Sequence, residues 1–127
     1  MEENFPKLED LNVWKSCREL KIELAKVARA LPQDERYRLT DQLIRAARSI
    51  TNNIAEGYGR FHYQENIQYL RQSRGSLYEC IDHLYCAIDD GYIMEEKFNL
   101  LKENCNVCLK LLNGYIKYLR NRKLYEY

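Results

Sequence analysis

The sequence predicts an all-α fold, an antiparallel up-down-up-down four-helix bundle, and three observations predict it. Apolar residues recur in steps of three and four through nearly the whole chain. No stretch alternates apolar and polar as a half-buried strand would. Proline and glycine are few, two and five in 127 residues, and they cluster where the periodic segments stop, at "LPQDE", "GYGRFH" and "DDGYI".

The first helix, expected over about 10–31, aligns Val13, Cys17, Leu20, Leu24, Val27 and Leu31 on one stripe. The second, 33–58, aligns Leu43, Ala47, Ile50, Ile54 and Gly57. The third, 62–90, aligns Ile67, Leu70, Arg74, Leu77, Ile81, Leu84 and Ile88. The fourth, 94–121, aligns Phe98, Leu101, Cys105, Cys108, Leu112, Tyr115 and Leu119. Such stripes are the seams of left-handed helix packing, and connections this short force neighbouring helices antiparallel. At 1.5 Å per residue the helices span roughly 35–45 Å. Asp34 and Glu35 are placed to open the second helix and Glu95 and Glu96 the fourth, while Lys117, Arg120 and Arg122 close the fourth. All complement the helix dipole. Asp89 and Asp90 oppose it, and Gly91 after them supplies the C-terminal stop.

Composition fits one soluble globular domain over 1–127, with 46% hydrophobic and 31% charged residues and a net charge of +1. The start "MEENFPKLED" is acidic, unlike a signal or transit peptide. No segment approaches the roughly 20 apolar residues that span a bilayer. A cytoplasmic protein without membrane attachment is therefore expected. Cys17, Cys80, Cys86, Cys105 and Cys108 are odd in number, and "CNVC" has no second pair at zinc spacing, so they read as small buried hydrophobes. A di-metal bundle needs Glu-x-x-His repeats aimed inward. Glu79 and His83 stand four apart and off the seam, and His62 falls in a turn; both histidines read as surface or capping residues. No catalytic residue, metal or cofactor is expected, and an enzyme is disfavoured.

Charge placement is more informative than net charge. Residues 77–96 hold six acids and no Lys or Arg, whereas 110–127 hold five bases against Glu126. In the antiparallel bundle Arg60, Lys117, Arg120, Arg122 and Lys123 share one end. Tyr58, Phe61, Tyr63, Tyr118 and Tyr125 are interleaved with them, a combination able to grip phosphates and stack bases. Solvated helix ends would look the same. Two further features exceed what a lone bundle needs. Arg74 on the seam, level with Ala46 and Ala47, calls for a buried partner, and Glu19 is the candidate. The heptad stripe Arg71, Tyr78, Tyr85, Tyr92, joined by Leu109 and Ile116 beside the fourth seam, widens the apolar face toward a subunit interface.

The stretch "SITNNIAEGYGR" continues a polar stripe that starts at Arg45 and runs through Ser49, Asn52 and Glu56, facing away from the seam, with Asn53 flanking the seam. Gly57 sits on the seam where only a small residue permits close approach, and Gly59 is the candidate for the positive φ that ends the helix. The glycines read as a joint, and the polar stripe as a subunit boundary.

The run "LPQDERYRLTDQLIRAARSITNNIAEGYGR", followed by "RGSLYE", resembles the 23S rRNA intervening-sequence proteins, also called the S23 ribosomal protein family. The residues that carry the likeness are Leu31-Pro32, Glu35, Gln42, Arg45-Ala46, Ser49-Ile50, Asn53 to Gly57, Arg74-Gly75-Ser76 and Glu79. Thr51-Asn52 departs from a proline and a small residue common there. The resemblance implies a four-helix bundle assembling as a homopentamer, without established enzymatic activity or cofactor. A related bundle, the accessory protein of diversity-generating retroelements, is a basic pentamer that binds nucleic acid and a reverse transcriptase; this chain is less basic. Two functions stay open: an RNA- or DNA-associated accessory protein, or a structural scaffold that binds a protein partner.

Overall fold

The computed structural model describes residues 6–126, with side chains through residue 122. The first residues of the acidic N-terminus and the side chains of Lys123 and Tyr125 lie outside the described residues. Four helices follow one another in the order α1 (Asn12–Arg29), α2 (Leu39–Tyr58), α3 (Tyr63–Asp89) and α4 (Glu95–Glu126). Short 3-10 turns at Leu8–Asp10 and Gln33–Glu35 precede α1 and α2. The chain runs up, down, up and down, and each helix packs on its neighbours, most extensively α2 on α3. Among the described residues no helix is long and apolar enough to cross a membrane.

The stripes of α1 and α2 are buried as the periodicity predicts. On α3 the buried line is instead Ile67, Leu70, Ser73, Leu77, Cys80, Leu84 and Ala87. Small residues displace Arg74, Ile81 and Ile88 because they let α3 approach its neighbours closely. Ser73 tolerates full burial because its hydroxyl donates to the Ile50 carbonyl oxygen at 2.7 Å. Arg74, one residue or about 100° further round, reaches the edge of the α3–α4 seam. There its guanidinium donates to Asn113 Oδ1 at 2.8 Å. The expected buried pair with Glu19 does not form; Glu19 is exposed on α1. On α4, Leu109 and Ile116 belong to the bundle's own core and do not widen its surface, while Tyr115 is only half-buried. Four cysteines are buried and Cys86 is exposed; burial pushes the Cys105 thiol up to about 12.

Helix α2 begins at Leu39, not at 33, since Asp34 and Glu35 are taken up by the 3-10 turn. Glu35 nevertheless serves α2, its carboxylate accepting from the Leu39 N–H at 3.3 Å. It also accepts from the Tyr92 hydroxyl at 2.7 Å. The Tyr92 bond first, then the Leu39 N–H, hold the Glu35 carboxyl below the usual range. Tyr92 can reach Glu35 because Gly91, at φ +77°, turns the chain out of α3. Its turn pairs the Tyr92 N–H with the Ala87 carbonyl and the Gly91 N–H with that of Ile88, closing the helix as predicted. The α1–α2 and α3–α4 connections are thus latched together at one end, over a small cluster of Leu31, Leu39 and Ala87.

Candidate nucleic-acid interface

The residues singled out in the sequence fall into three places. Ser49, Asn53 and Ser76 meet between α2 and α3. Ser49 and Ser76 hydroxyls lie 2.8 Å apart, and the Asn53 amide donates to both the hydroxyl and the carbonyl of Ser49 at 2.9 Å. This polar knot satisfies its own groups and holds the hairpin in register. Gly57 is a true close approach: a Cβ there would lie 2.8 Å from both Asn66 Oδ1 and Tyr69 Cβ. Gly59 keeps an ordinary helical φ of −70°; the left-handed residue of this turn is Phe61, at φ +53°.

On the outer face of α2, Arg45 pairs with Asp41 at 3.0 Å and Asn52 is exposed. Glu56 pairs with Arg60 at 3.0 Å. Arg60 also reaches Glu65 at 3.7 Å and the Tyr69 hydroxyl at 3.0 Å. Its charge is locally neutralised, which removes it from the cations that could seat a phosphate. The Tyr stripe of α3 divides. Arg71 and Tyr78 stay exposed. Tyr85 stacks edge-on against Phe98 with ring centres 4.8 Å apart, and Tyr92 leaves the stripe for Glu35. Glu79 lies 3.2 Å from His83 Nε2. His83, expected on the surface, is in fact buried; His62 is exposed at the N-cap of α3 and makes no capping bond.

The third place is the end where α2 stops, α3 starts and α4 finishes. A cleft of about 480 Å³ opens there. Tyr58, Phe61 and Tyr63 from the α2–α3 turn line it on one side, and Tyr115 and Tyr118 from α4 on the other. Tyr115 and Tyr118 lie near-parallel, 14° between planes with centres 6.3 Å apart. The Tyr58 hydroxyl donates to the Pro6 carbonyl, bringing the segment before α1 over the rim. Asn66 lines the cleft at only 7% exposure, and its Oδ1 is buried with no hydrogen-bond partner. Burial pushes the Tyr115 phenol up, partly opposed by a hydrogen bond with the Asn66 side chain. Arg122 and His62 also line the cleft, and among the described residues no carboxylate does. Lys117 and Arg120 are exposed on the same last turns of α4 but outside the lining.

Phe61, Tyr118 and Arg122 were legible in the sequence as members of a basic, aromatic end. Asn66 and Tyr115 were not, although the run "FHYQEN" after "GYGR" already placed a polar amide one turn inside α3.

In class, this is an antiparallel four-helix bundle with one latched end and one open aromatic end; among the described residues no cluster of His, Cys, Asp or Glu could hold a metal. The sequence profile of the 23S rRNA-intervening sequence proteins matches residues 9–114. The chain belongs to that family. Its fold is similar to the crystal structure of a protein with unknown function from the S23 ribosomal protein family of Bacteroides thetaiotaomicron, with a TM-score of 0.78. The two are 20% identical, over 87% of this chain and 99% of that one, a likeness of fold alone. No curated protein matches the sequence.

Proposed function

We infer that this protein is a non-enzymatic, cytoplasmic, oligomeric accessory factor that binds RNA or DNA through the open end of the bundle. One observation carries the reading: exposed aromatic rings and the exposed cations of the last turns of α4 share that end, and the cleft among them has no carboxylate in its described lining. Cations fix a phosphate backbone and π-faces accept bases, the two components of nucleic-acid binding without strict sequence preference. Assembly into a homopentamer is the expectation from the family. The exposed Arg71 and Tyr78 on α3, and Asn52 on α2, are the surfaces offered for it.

Fluorescence anisotropy with labelled RNA and DNA at about 50 and 200 mM salt tests the reading, because each phosphate contact releases counterions. Binding should fall steeply across that range and be lost with Arg120→Glu and Arg122→Glu together. Salt-insensitive binding, or none at the lower salt, would sink it. The second reading, a scaffold for a protein partner, rests on Leu100 and Val107. These exposed apolar residues stand one heptad apart on α4, and Val107 borders the groove that Ile22 of α1 also lines. It predicts binding partners that survive high salt and are lost with Val107→Glu.

A further inference from the structure

We propose that the groove between α1 and α2 is a second nucleic-acid contact, a track along which Lys21, Arg29 and Arg48 hold the phosphates of one strand. The inference rests on the nucleic-acid reading above and adds a surface to it that shares no lining residue with the open-end cleft. Two hollows, of about 600 and 340 Å³, adjoin along this groove and have Lys21 and Arg48 in common. Ala25, Ala47 and Ala55 are among the lining, and their short side chains leave the space between the helices open. Lys21, Lys26, Arg29, Arg45 and Arg48 edge the hollows, and no described carboxylate lines either. The groove on the other flank of α1, toward α4, is the reverse: Glu19 and Glu23 line it, with no described Lys or Arg. The whole chain carries a net charge of only +1, so this separation is a matter of placement. Grooves lined by one sign of charge focus the field and gather counter-ions.

Pairing inside the molecule removes part of the positive charge but not all of it. Lys26 lies 3.3 Å from Glu23, and Arg45 3.0 Å from Asp41. The side chains of Lys21, Arg29 and Arg48 make no ion pair or hydrogen bond among the described residues. Arg18 adds a cation beside them, 5.8 Å over the ring of Trp14, which lines the same groove. Spacing then selects the occupant. Lys21 and Arg29 stand two turns apart on α1, about 12 Å. No single small anion touches both, whereas a linear polyanion meets them in succession. A second copy of this chain would offer its Glu19–Glu23 groove, two carboxylates of which one is already paired with Lys26. That is too little negative charge for this face, while every phosphate of a strand brings one. Packed helices have axes about 8–10 Å apart, and the groove between them follows one backbone.

The test is the anisotropy of a labelled single-stranded RNA across about 50 to 200 mM salt. It compares the full chain with Lys21→Gln, Arg29→Gln and Arg48→Gln combined, with Arg48→Gln alone, and with the Arg120→Glu, Arg122→Glu pair. Light scattering and circular dichroism check that assembly mass and helicity match the parent. Each phosphate contact contributes about 0.7 to the slope of log affinity against log salt for a single strand. Arg48→Gln alone should flatten the slope by about that much, and the triple variant by about 2. The parent should then lose about twentyfold more affinity than the triple variant over that range. A flattened slope with the α4 pair binding as tightly as the parent would support the track and overturn the open end as the site. An unchanged slope in the triple variant, with binding lost in the α4 pair, would overturn the track and leave the open-end reading standing. A smaller assembly in the triple variant would make the groove a contact between copies of this chain and overturn the proposal. Binding of no RNA by the parent would overturn both.

Discussion

The two ends of this bundle are built on opposite terms. At the latched end one polar group answers another across the two connections. Gly91 turns the chain, Tyr92 comes back to Glu35, and Glu35 caps α2. At the open end the chain places a phenylalanine where a glycine belongs, leaves an amide oxygen unpaired and turns two aromatic rings to solvent. The contrast teaches that the two ends close their turns by different means. A left-handed residue closes α3 through Gly91 at little cost, whereas the left-handed residue of the α2–α3 turn, Phe61, carries a side chain and with it a strain of about 1–2 kcal/mol.

Glycine substitution should separate the ends most widely. Gly57→Val would drive a branched side chain into Tyr69 Cβ and the Asn66 backbone. It should cost about 3 kcal/mol in urea unfolding, the upper range for overpacking. A loss below about 1 kcal/mol would mean that α2 and α3 part easily at the open end. Gly91→Ala meets no atom within 4 Å, so its cost is backbone strain alone, about 1–2 kcal/mol by the same measurement. Phe61→Gly should go the other way and raise stability by up to about 1 kcal/mol, the relief of left-handed strain less the entropy of a freer unfolded chain. If that variant is less stable, Phe61 is a structural residue and the contrast fails.

The smallest effect concerns pH at the latched end. The Glu35 carboxyl is held down by Tyr92, so its contribution is present above the ordinary glutamate value of about 4.3 and is lost as pH falls through the lower folded value. Tyr92→Phe should make the fall in thermal midpoint between about pH 5 and 3 shallower, with little change near neutrality. Parallel acid slopes for parent and variant would show the latch to be idle.

Much of the fold was legible because Leu, Ile and Val at three-four spacing have one favourable place to go. The α1 and α2 seams followed directly. The α3 seam was misread where it mattered: Ser73, Cys80 and Ala87 are small enough for surface or core, and hydropathy alone favoured Ile81 and Ile88. Arg74 then entered the seam as a supposed buried charge, although a shift of one residue sets it beside Asn113. The site was legible as a basic, aromatic end, since helix directions alone bring Arg60 and the C-terminal bases together. What pattern could not show was pairing. Arg60 is tied up by Glu56 and Glu65, and the Glu56 expected at a subunit boundary already has its partner. Nor could pattern show that Asn66 and Tyr115, about fifty residues apart in sequence, meet in one cleft.

The Glu35–Tyr92 bond also joins two connections that are otherwise far apart in the chain. Opening either helical hairpin from that end requires breaking a bond to the other, so the two are coupled in their slow fluctuations. Backbone amides of the last turns of α3 and the first turns of α2 should therefore exchange with solvent deuterium together and late. Those around Phe61 should exchange early and independently, and the molecule breathes from its open end.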